Sequence, residues 1–104
     1  MLYDYPVSMA ALSRVKTDDP RLAERFELYA SGLEIANAYS ELIDADEQRR
    51  RFKADVARKL ELFGSAYPID EDFLAALDHG LPNCAGIALG VDRLVMLVTG
   101  APTI

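Results

Sequence analysis

The segment spanning residues 25–42, RFELYASGLEIANAYSEL, constrains the fold more than any other part of the sequence. Two hydrophobic, strand-like runs, at residues 24–30 and 33–42, are joined there at Ser31-Gly32. A small residue followed by glycine favours a tight hairpin turn. The runs also carry several glutamates and an asparagine, and carboxylates on paired strands are costly to bury without a counter-charge. The segment therefore predicts a β-hairpin with one polar, functional face.

The rest of the chain supplies strands and helices around this hairpin. The apolar period changes from about two to about 3.6 after the hairpin, where Asp44 and Glu47 have capping-box spacing. Asp70 is a second N-cap candidate, and Gly64 can end the first helix. The expected elements are strands at 1–6, 24–30, 33–42 and 87–89, a connecting segment with one irregular turn at 7–21, and helices at 45–63, 71–79 and 91–99. This order predicts an α+β fold, an antiparallel sheet of about four strands with helices packed to one side.

Length and charge limit the function. A chain of 104 residues fits one domain with a modest core. The net charge is −6, and no basic block is interleaved with aromatic residues, which excludes a nucleic-acid footprint in this segment. The one basic run, at residues 48–51 (QRRR), is flanked by acidic residues. We interpret it as a solvated helix face rather than a phosphate site.

The single cysteine, Cys84, cannot form an internal disulfide and suits a reducing cytoplasm. No apolar run approaches the roughly 18 residues that span a membrane, and no secretion signal is visible. The only histidine, His79, lies at an expected helix end, and no other base is placed to activate Cys84. We therefore expect no cysteine–histidine dyad.

The last segment, GIALGVDRLVMLVTG at residues 86–100, is ambiguous by itself. Its glycines and apolar helix are compatible with close backbone packing in a core. The pattern is neither a Walker loop nor a complete dinucleotide fingerprint. Asp92-Arg93 fits this simple interpretation poorly, because both are charged residues in the first turn of an apolar helix. Arg93 could offer a rigid guanidinium to a phosphate, with Asp92 orienting it.

Together, RFELYASGLEIANAYSEL and the later AGIALGVDRLVML resemble the C-terminal part of the catalytic domain of class II lysyl-tRNA synthetases. The second segment is similar to the third signature motif of that class. Within this group the likeness is closer to the synthetase-related ligases that attach β-lysine to a lysine of elongation factor P. Both the opening LYDYPVSMAALSRV and Ala88, where tRNA-charging enzymes usually have glycine, carry that likeness. Nothing in the 104 residues resembles the first or second signature motif.

This resemblance implies a site for ATP and Mg²⁺. Glu27 and Glu34 would hold the magnesium ions that bridge the ATP phosphates, and carboxylate oxygens are ligands that Mg²⁺ prefers. Arg93 would bind the terminal phosphates. Gly86 and Gly90, with the small Ala88 between them, would let the adenine and ribose lie close to the backbone.

The resemblance also implies an amino-acid pocket. Asn37 would contact the substrate carboxylate, Tyr39 would form an aromatic wall, and Glu41 would pair with the side-chain ammonium of lysine or β-lysine. Ala88 would alter the shape of the pocket. The simpler alternative for Glu41 is a surface glutamate at the end of a strand.

Strand parity gives a structural test of these assignments. If Ser31-Gly32 is the turn, Glu27 and Glu34 lie diagonally on one face of the hairpin. Glu34 and Asn37 are three residues apart, so a regular strand would point them to opposite faces. Both can line one pocket only if a bulge intervenes, and we predict such a bulge near Ala36.

The implied activity is a two-step ligation, in which lysine or β-lysine is activated as an adenylate and then transferred to elongation factor P, with tRNA as the alternative acceptor. Such catalysis depends on positioning and charge, so no nucleophilic side chain is required. We expect these 104 residues alone, which lack the first two motifs, not to catalyse the reaction. We also expect a homodimer. The hypothesis from another class is a catalytically silent module that binds another chain through strand edges.

Overall fold

The computed structural model describes residues 1–103 and contains two compact units. The first unit comprises residues 1–41 and the segment from Cys84 onward, and the second is Leu42–Asn83. In chain order the elements are β1 (Leu2–Pro6), a 3₁₀ turn (Val7–Met9), β2 (Leu22–Ala30), β3 (Leu33–Ser40), α1 (Ala45–Phe63), α2 (Glu71–His79), β4 (Ala85–Leu89) and α3 (Val91–Thr99). The predicted α+β fold is confirmed.

The first unit is a four-stranded antiparallel sheet, in the order β1-β2-β3-β4, together with α3. Ser31 and Gly32, with φ values of 49° and 79°, form the predicted turn between β2 and β3. Positive φ at both central residues is what a type I′ hairpin requires, because it matches the twist of the flanking strands. β2 starts earlier than predicted because Leu22 pairs with Pro6, and β3 ends earlier because Glu41 makes only an isolated bridge to Ser13.

The predicted bulge is present at Ile35. Leu28 pairs with Ala36, and the next pair is Tyr29 with Glu34, so Ile35 is an extra residue on β3. Its side chain is buried. The bulge changes the parity of β3 and therefore decides which side chains share a face of the sheet.

Small residues dominate the interior of the first unit. The buried apolar residues there are Ala10, Ala23, Ile35, Ala36 and Ala38. The interpretation of α3 as a core helix is wrong, because none of its residues is buried and Val98 is 80% exposed.

The second unit holds α1 and α2, whose bounds match the prediction. Asp44 and Asp70 cap them by accepting hydrogen bonds from the backbone N–H groups of Glu47 and Phe73, and Gly64 ends α1 with a left-handed φ of 71°. The rings of Phe52 and Phe73 lie 5.9 Å apart.

The interpretation of residues 48–51 as a solvated face is wrong in part. Gln48 is only 1% exposed and the side chain of Arg51 only 13% exposed. In contrast, the apolar Phe63 at the end of α1 is exposed. Gln48 lies one helical turn before the half-buried Phe52, on the same face of α1, so the covered part of this face is at the start of the helix and its apolar end is exposed. No helix among residues 1–103 is both long and apolar enough to cross a bilayer.

Candidate active site

Polar side chains of β2 and β3 share one face of the sheet in the first unit, next to small residues of β4. Residues directly opposite each other in an antiparallel ladder project from the same face. The pairs Glu27–Asn37, Arg25–Tyr39 and Tyr29–Glu34 therefore lie on one face. The strand β4 adds to it Ala88, opposite Asn37, and Gly86, opposite Tyr39. The Ile35 bulge thus brings Glu34 and Asn37 to the same face, as predicted.

The residues predicted to bind the amino acid surround one cavity of about 360 Å³. Its lining consists of Asn37, Tyr39, Glu41, Gly86, Ile87 and Ala88. Burial, followed by the nearby Glu41 carboxylate, raises the pKa of Tyr39. The phenol is therefore neutral near pH 7. The cavity combines an aromatic wall, an amide and a carboxylate, which is a chemically suitable lining for a cationic amino acid.

Glu41 is directed across β4 rather than out from the strand end. A β-carbon built on Gly86 would lie 3.3 Å from the Oε1 atom of Glu41. The backbone N–H of Glu41 donates to the carbonyl of Cys84 at 3.0 Å, which anchors the residue beside β4. The carboxylate of Glu41 therefore occupies the space that Gly86 leaves free.

Glu27 is the most enclosed acidic group of this face, at 7% exposure. The Tyr5 and Tyr29 hydroxyls donate to its Oε2 at 2.6 and 2.5 Å. Arg25 donates from Nη2 to Oε1 at 2.6 Å. The hydrogen bonds from Tyr29 and Tyr5 hold the pKa of Glu27 below its usual value, and the same contact with Glu27 raises the pKa of Tyr5 to about 12. Glu27 is therefore ionised and its tyrosine partners are neutral near pH 7.

Arg93 lies over the bulge. It donates from Nη1 to the backbone carbonyl of Glu34 at 2.8 Å, and the same atom is 3.7 Å from the Glu34 carboxylate. Gly90 donates its N–H to the carbonyl of Ile35 at 2.8 Å, and a β-carbon on Gly90 would come within 3.2 Å of the Arg93 side chain. In the described part of the chain Glu34, rather than Asp92, orients Arg93, so that expectation for Asp92 is wrong.

The donor set fits magnesium if phosphate and water complete the coordination. Among residues 1–103, no group of three or more acidic, histidine or cysteine side chains is placed to hold a metal ion. Mg²⁺ is commonly bound by one or two carboxylates plus substrate phosphates and waters. Glu27 and Glu34 share a face of the sheet, and Arg93 lies next to Glu34. The two carboxylates are therefore suitable for a nucleotide-bound cation.

Sequence reasoning did not identify the partners of Glu27. Tyr5, Arg25 and Tyr29 were assigned no role, yet all three donate to its carboxylate. Arg25 and Tyr29 stand two residues on either side of Glu27, which is the strand period that places side chains on one face. That spacing was the available signal, and Tyr5 had no comparable one because its position depends on the register of β1.

Comparison with known proteins places these features in a family. The family model described as tRNA synthetases class II (D, K and N) matches residues 1–104. The chain is 52% identical over 99 residues to a protein of Vibrio cholerae named elongation factor P–(R)-β-lysine ligase, a match covering 95% of this chain and 31% of that protein. Proteins of the same name match from Pectobacterium carotovorum, at 52% identity over 96% of this chain and 31% of the relative, and from Proteus mirabilis, at 50% over 99% and 32%.

The chain thus spans about a third of the length of these curated relatives. The match to the family model runs from the first residue of the chain to the last. The sequence resemblance to this family is therefore confirmed. The chain belongs to the class II tRNA synthetases of the D, K and N group.

Proposed function

We propose that the protein carrying this chain is an ATP-dependent ligase that activates lysine or β-lysine as an adenylate and transfers it to a lysine of elongation factor P. The observation that carries the proposal is the Ile35 bulge, because it joins two polar sets on one face. The first set is Glu27, Glu34 and Arg93, and the second is Asn37, Tyr39 and Glu41. The names of the relatives support the choice of substrate and acceptor.

In the first step, a carboxylate oxygen of the amino acid attacks the α-phosphorus of ATP and pyrophosphate leaves. Bound Mg²⁺ would supply positive charge that offsets the charge of the phosphates. Glu27 and Glu34 would hold the cation, and Arg93 would bind the terminal phosphates as a fixed guanidinium. In the second step, the acceptor amine attacks the adenylate carbonyl and AMP leaves. These side chains position groups and stabilise charge, and none of them is a nucleophile.

Amino-acid selection is assigned to the cavity beside β4. The Glu41 carboxylate would pair with the substrate side-chain ammonium, Asn37 with its carboxylate, and Tyr39 would enclose the aliphatic part. Ala88 stands opposite Asn37 in the ladder, so its methyl group narrows the pocket beside the α-carbon region of the substrate. Such a methyl affects discrimination between lysine and β-lysine, in which the amino group is displaced by one carbon.

Amino-acid-dependent exchange of pyrophosphate into ATP tests the first step in the complete protein. We expect exchange with lysine or β-lysine and a much higher amino-acid concentration at half-maximal exchange in Glu41→Gln, while Glu61→Gln on the exposed surface of α1 keeps the activity of the unaltered protein. Absence of exchange with both amino acids would refute the ligase proposal.

Transfer from the adenylate then identifies the acceptor. Radiolabelled amino acid is supplied with elongation factor P or with tRNA, each as the sole acceptor. We expect label on elongation factor P, and label on tRNA alone would assign the protein to tRNA charging. We place the reaction in the cytoplasm, where these acceptors are found.

A further inference from the structure

The contacts of Glu27 fix its carboxylate more completely than any other acidic group of the site. Three donors reach it from different parts of the first unit: Tyr5 from β1, Tyr29 from the turn end of β2, and Arg25 from the middle of β2. We call Tyr5, Arg25 and Tyr29 the Glu27 clamp. Hydrogen bonds to an ionised carboxylate are short and roughly twice as strong as neutral ones.

The clamp is itself fixed at several points. The guanidinium of Arg25 lies 4.7 Å from the centre of the Tyr5 ring, in a cation–π arrangement. Arg25 also donates to the carbonyl of Met9 at 2.7 Å and to Oδ1 of Asn37 at 3.2 Å. The clamp therefore connects β1, the 3₁₀ turn and β3 to one carboxylate on β2.

The number of bonds determines what Glu27 can still do. An ionised carboxylate has about four lone-pair positions. Tyr5 and Tyr29 both use Oε2, while Arg25 uses one position on Oε1. One direction on Oε1 is left, and the donors allow neither rotation nor exchange of the two oxygens. A cation can therefore meet Glu27 through one oxygen, from one direction.

We propose that Tyr5 is a positioning residue that, with Tyr29 and Arg25, presents a single oxygen of Glu27 to the nucleotide-bound magnesium. This inference rests on the proposed function and deepens it, since it makes the first strand of the chain part of the cation site. Tyr5 acts through Glu27 and does not touch the cation. Partners of this kind typically change metal affinity by about 10- to 100-fold when they are removed.

The test uses the complete protein and the variants Tyr5→Phe, Tyr29→Phe and Tyr3→Phe. Tyr3 is the matched control, because it lies on the same strand and is exposed. Calorimetry measures ATP binding as a function of Mg²⁺ concentration. For Tyr5→Phe we expect about a tenfold higher Mg²⁺ concentration at half-maximal binding, an unchanged affinity for the amino acid, and no change in Tyr3→Phe. A crystal structure of Tyr5→Phe is expected to show Glu27 in a different orientation.

Several results would overturn the inference. An unchanged Mg²⁺ requirement in both Tyr5→Phe and Tyr29→Phe removes the positioning role. If the variants lose affinity for Mg²⁺, affinity for the amino acid and thermal stability to the same extent, the hydroxyls of Tyr5 and Tyr29 serve the fold alone. If the unaltered protein does not bind ATP in a Mg²⁺-dependent way, the proposed function itself fails and takes the inference with it. Binding by the unaltered protein with no effect of the variants removes the inference only.

Discussion

At the scale of single residues, Gly86 lies beside the carboxylate of Glu41. The sequence resemblance assigned it to the nucleotide, as a glycine that leaves the backbone open. In the structure, the space beside its α-carbon holds the carboxylate of Glu41. A methyl group at 3.3 Å from that oxygen is tighter than ordinary van der Waals contact, so the carboxylate must move to accommodate it.

We therefore predict that Gly86→Ala weakens amino-acid binding about fivefold by displacing Glu41. Pyrophosphate exchange at varied lysine or β-lysine concentration measures the effect. The control is a double-mutant cycle with Glu41→Gln, because contacting residues are non-additive. If Gly86→Ala acts through Glu41, its effect shrinks in the Glu41→Gln background. An equal effect in both backgrounds would return Gly86 to the nucleotide.

Arg93 should not be replaceable by lysine. Its guanidinium donates to the Glu34 carbonyl and still has further N–H groups for a phosphate, whereas lysine offers one compact charge. We expect Arg93→Lys to raise the ATP concentration at half-maximal exchange about tenfold. Arg58→Lys, an exposed change on α1, is expected to have no effect. Equal ATP requirements in both variants would contradict the assignment.

The sequence resemblance and strand parity together predicted one pocket for Asn37, Tyr39 and Glu41, and these residues line one cavity in the structure. Resemblance and parity were insufficient for the Glu27 clamp, because a phenol that reaches across strands depends on register and side-chain rotamer. The same holds for Asp92, whose sequence neighbour Arg93 bonds instead to a residue 59 positions away. Contacts that depend on long-range register are the ones that local sequence patterns leave open.

At the level of elements, the hairpin turn should respond to substitution through backbone conformation alone. No atom lies within 4 Å of a β-carbon built on Gly32, so a side chain at this position would meet no steric clash. The energetic cost of adding one comes from the positive φ of the backbone. We expect Gly32→Ala to lower the free energy of unfolding by about 1 kcal/mol. Ser31→Asn should raise it by about 0.5 kcal/mol, because asparagine tolerates the left-handed region better. Urea denaturation measures both. Ser65→Asn, which is at a position without positive φ, is the control and should show no gain.

The first turn of α1 contains a charge network with a pH signature. Glu47 accepts from Arg50 and Arg51, and these bonds lower its pKa to about 2, from the ordinary 4.5. The Glu47 carboxylate therefore binds a proton less readily in the folded state than in the unfolded chain. The stabilisation from Glu47 is present above about pH 4.5 and is lost as the pH falls towards 2.

For Glu47→Gln we accordingly predict reduced stability at pH 6 and a smaller loss of stability between pH 5 and pH 3 than in the unaltered chain. Thermal unfolding followed by circular dichroism at these pH values tests it. Glu61→Gln, on the exposed side of the same helix, should keep the full acid dependence of the unaltered protein. A Glu47→Gln profile parallel to that of the unaltered chain would show that the network contributes nothing to acid sensitivity.

Helix bounds were predictable because caps are local. Asp44, Gly64 and Asp70 act within one turn of their own position, and the bounds of α1 and α2 follow from them. Burial was less predictable, because the polar Gln48 is buried whereas the apolar Val98 is exposed. Which face of an element is covered depends on what packs against it, and that information is spread over the whole fold.

For the whole molecule, β4 is the feature with the largest consequence for behaviour in solution. It is an edge strand of the sheet that residues 1–103 form, all five of its residues are exposed, and Ile87 is 65% exposed. Unpaired strand edges with apolar side chains are templates for pairing with another chain. This is the observation that favours association, as a homodimer or as a silent binding module.

We predict that the 104-residue chain self-associates and that Ile87→Lys shifts it to the monomer. Sedimentation velocity over a range of protein concentrations measures the change. Val98→Lys, which adds the same charge on the exposed face of α3, is the control and should leave association unchanged. If Val98→Lys makes the chain monomeric and Ile87→Lys does not, the chain associates through α3 rather than through the edge of β4.

The bulge at Ile35 has a final consequence for how members of this family can diverge. Removing one residue between Glu34 and Asn37 would restore a regular strand and turn one of the two polar sets to the opposite side of the sheet. It would also disturb the carbonyls of Glu34 and Ile35, to which Arg93 and Gly90 are bound. The number of residues here should therefore stay fixed while their identities change. Exchanging residues 37–41 as one segment is therefore expected to leave Glu27, Glu34 and Arg93 in place.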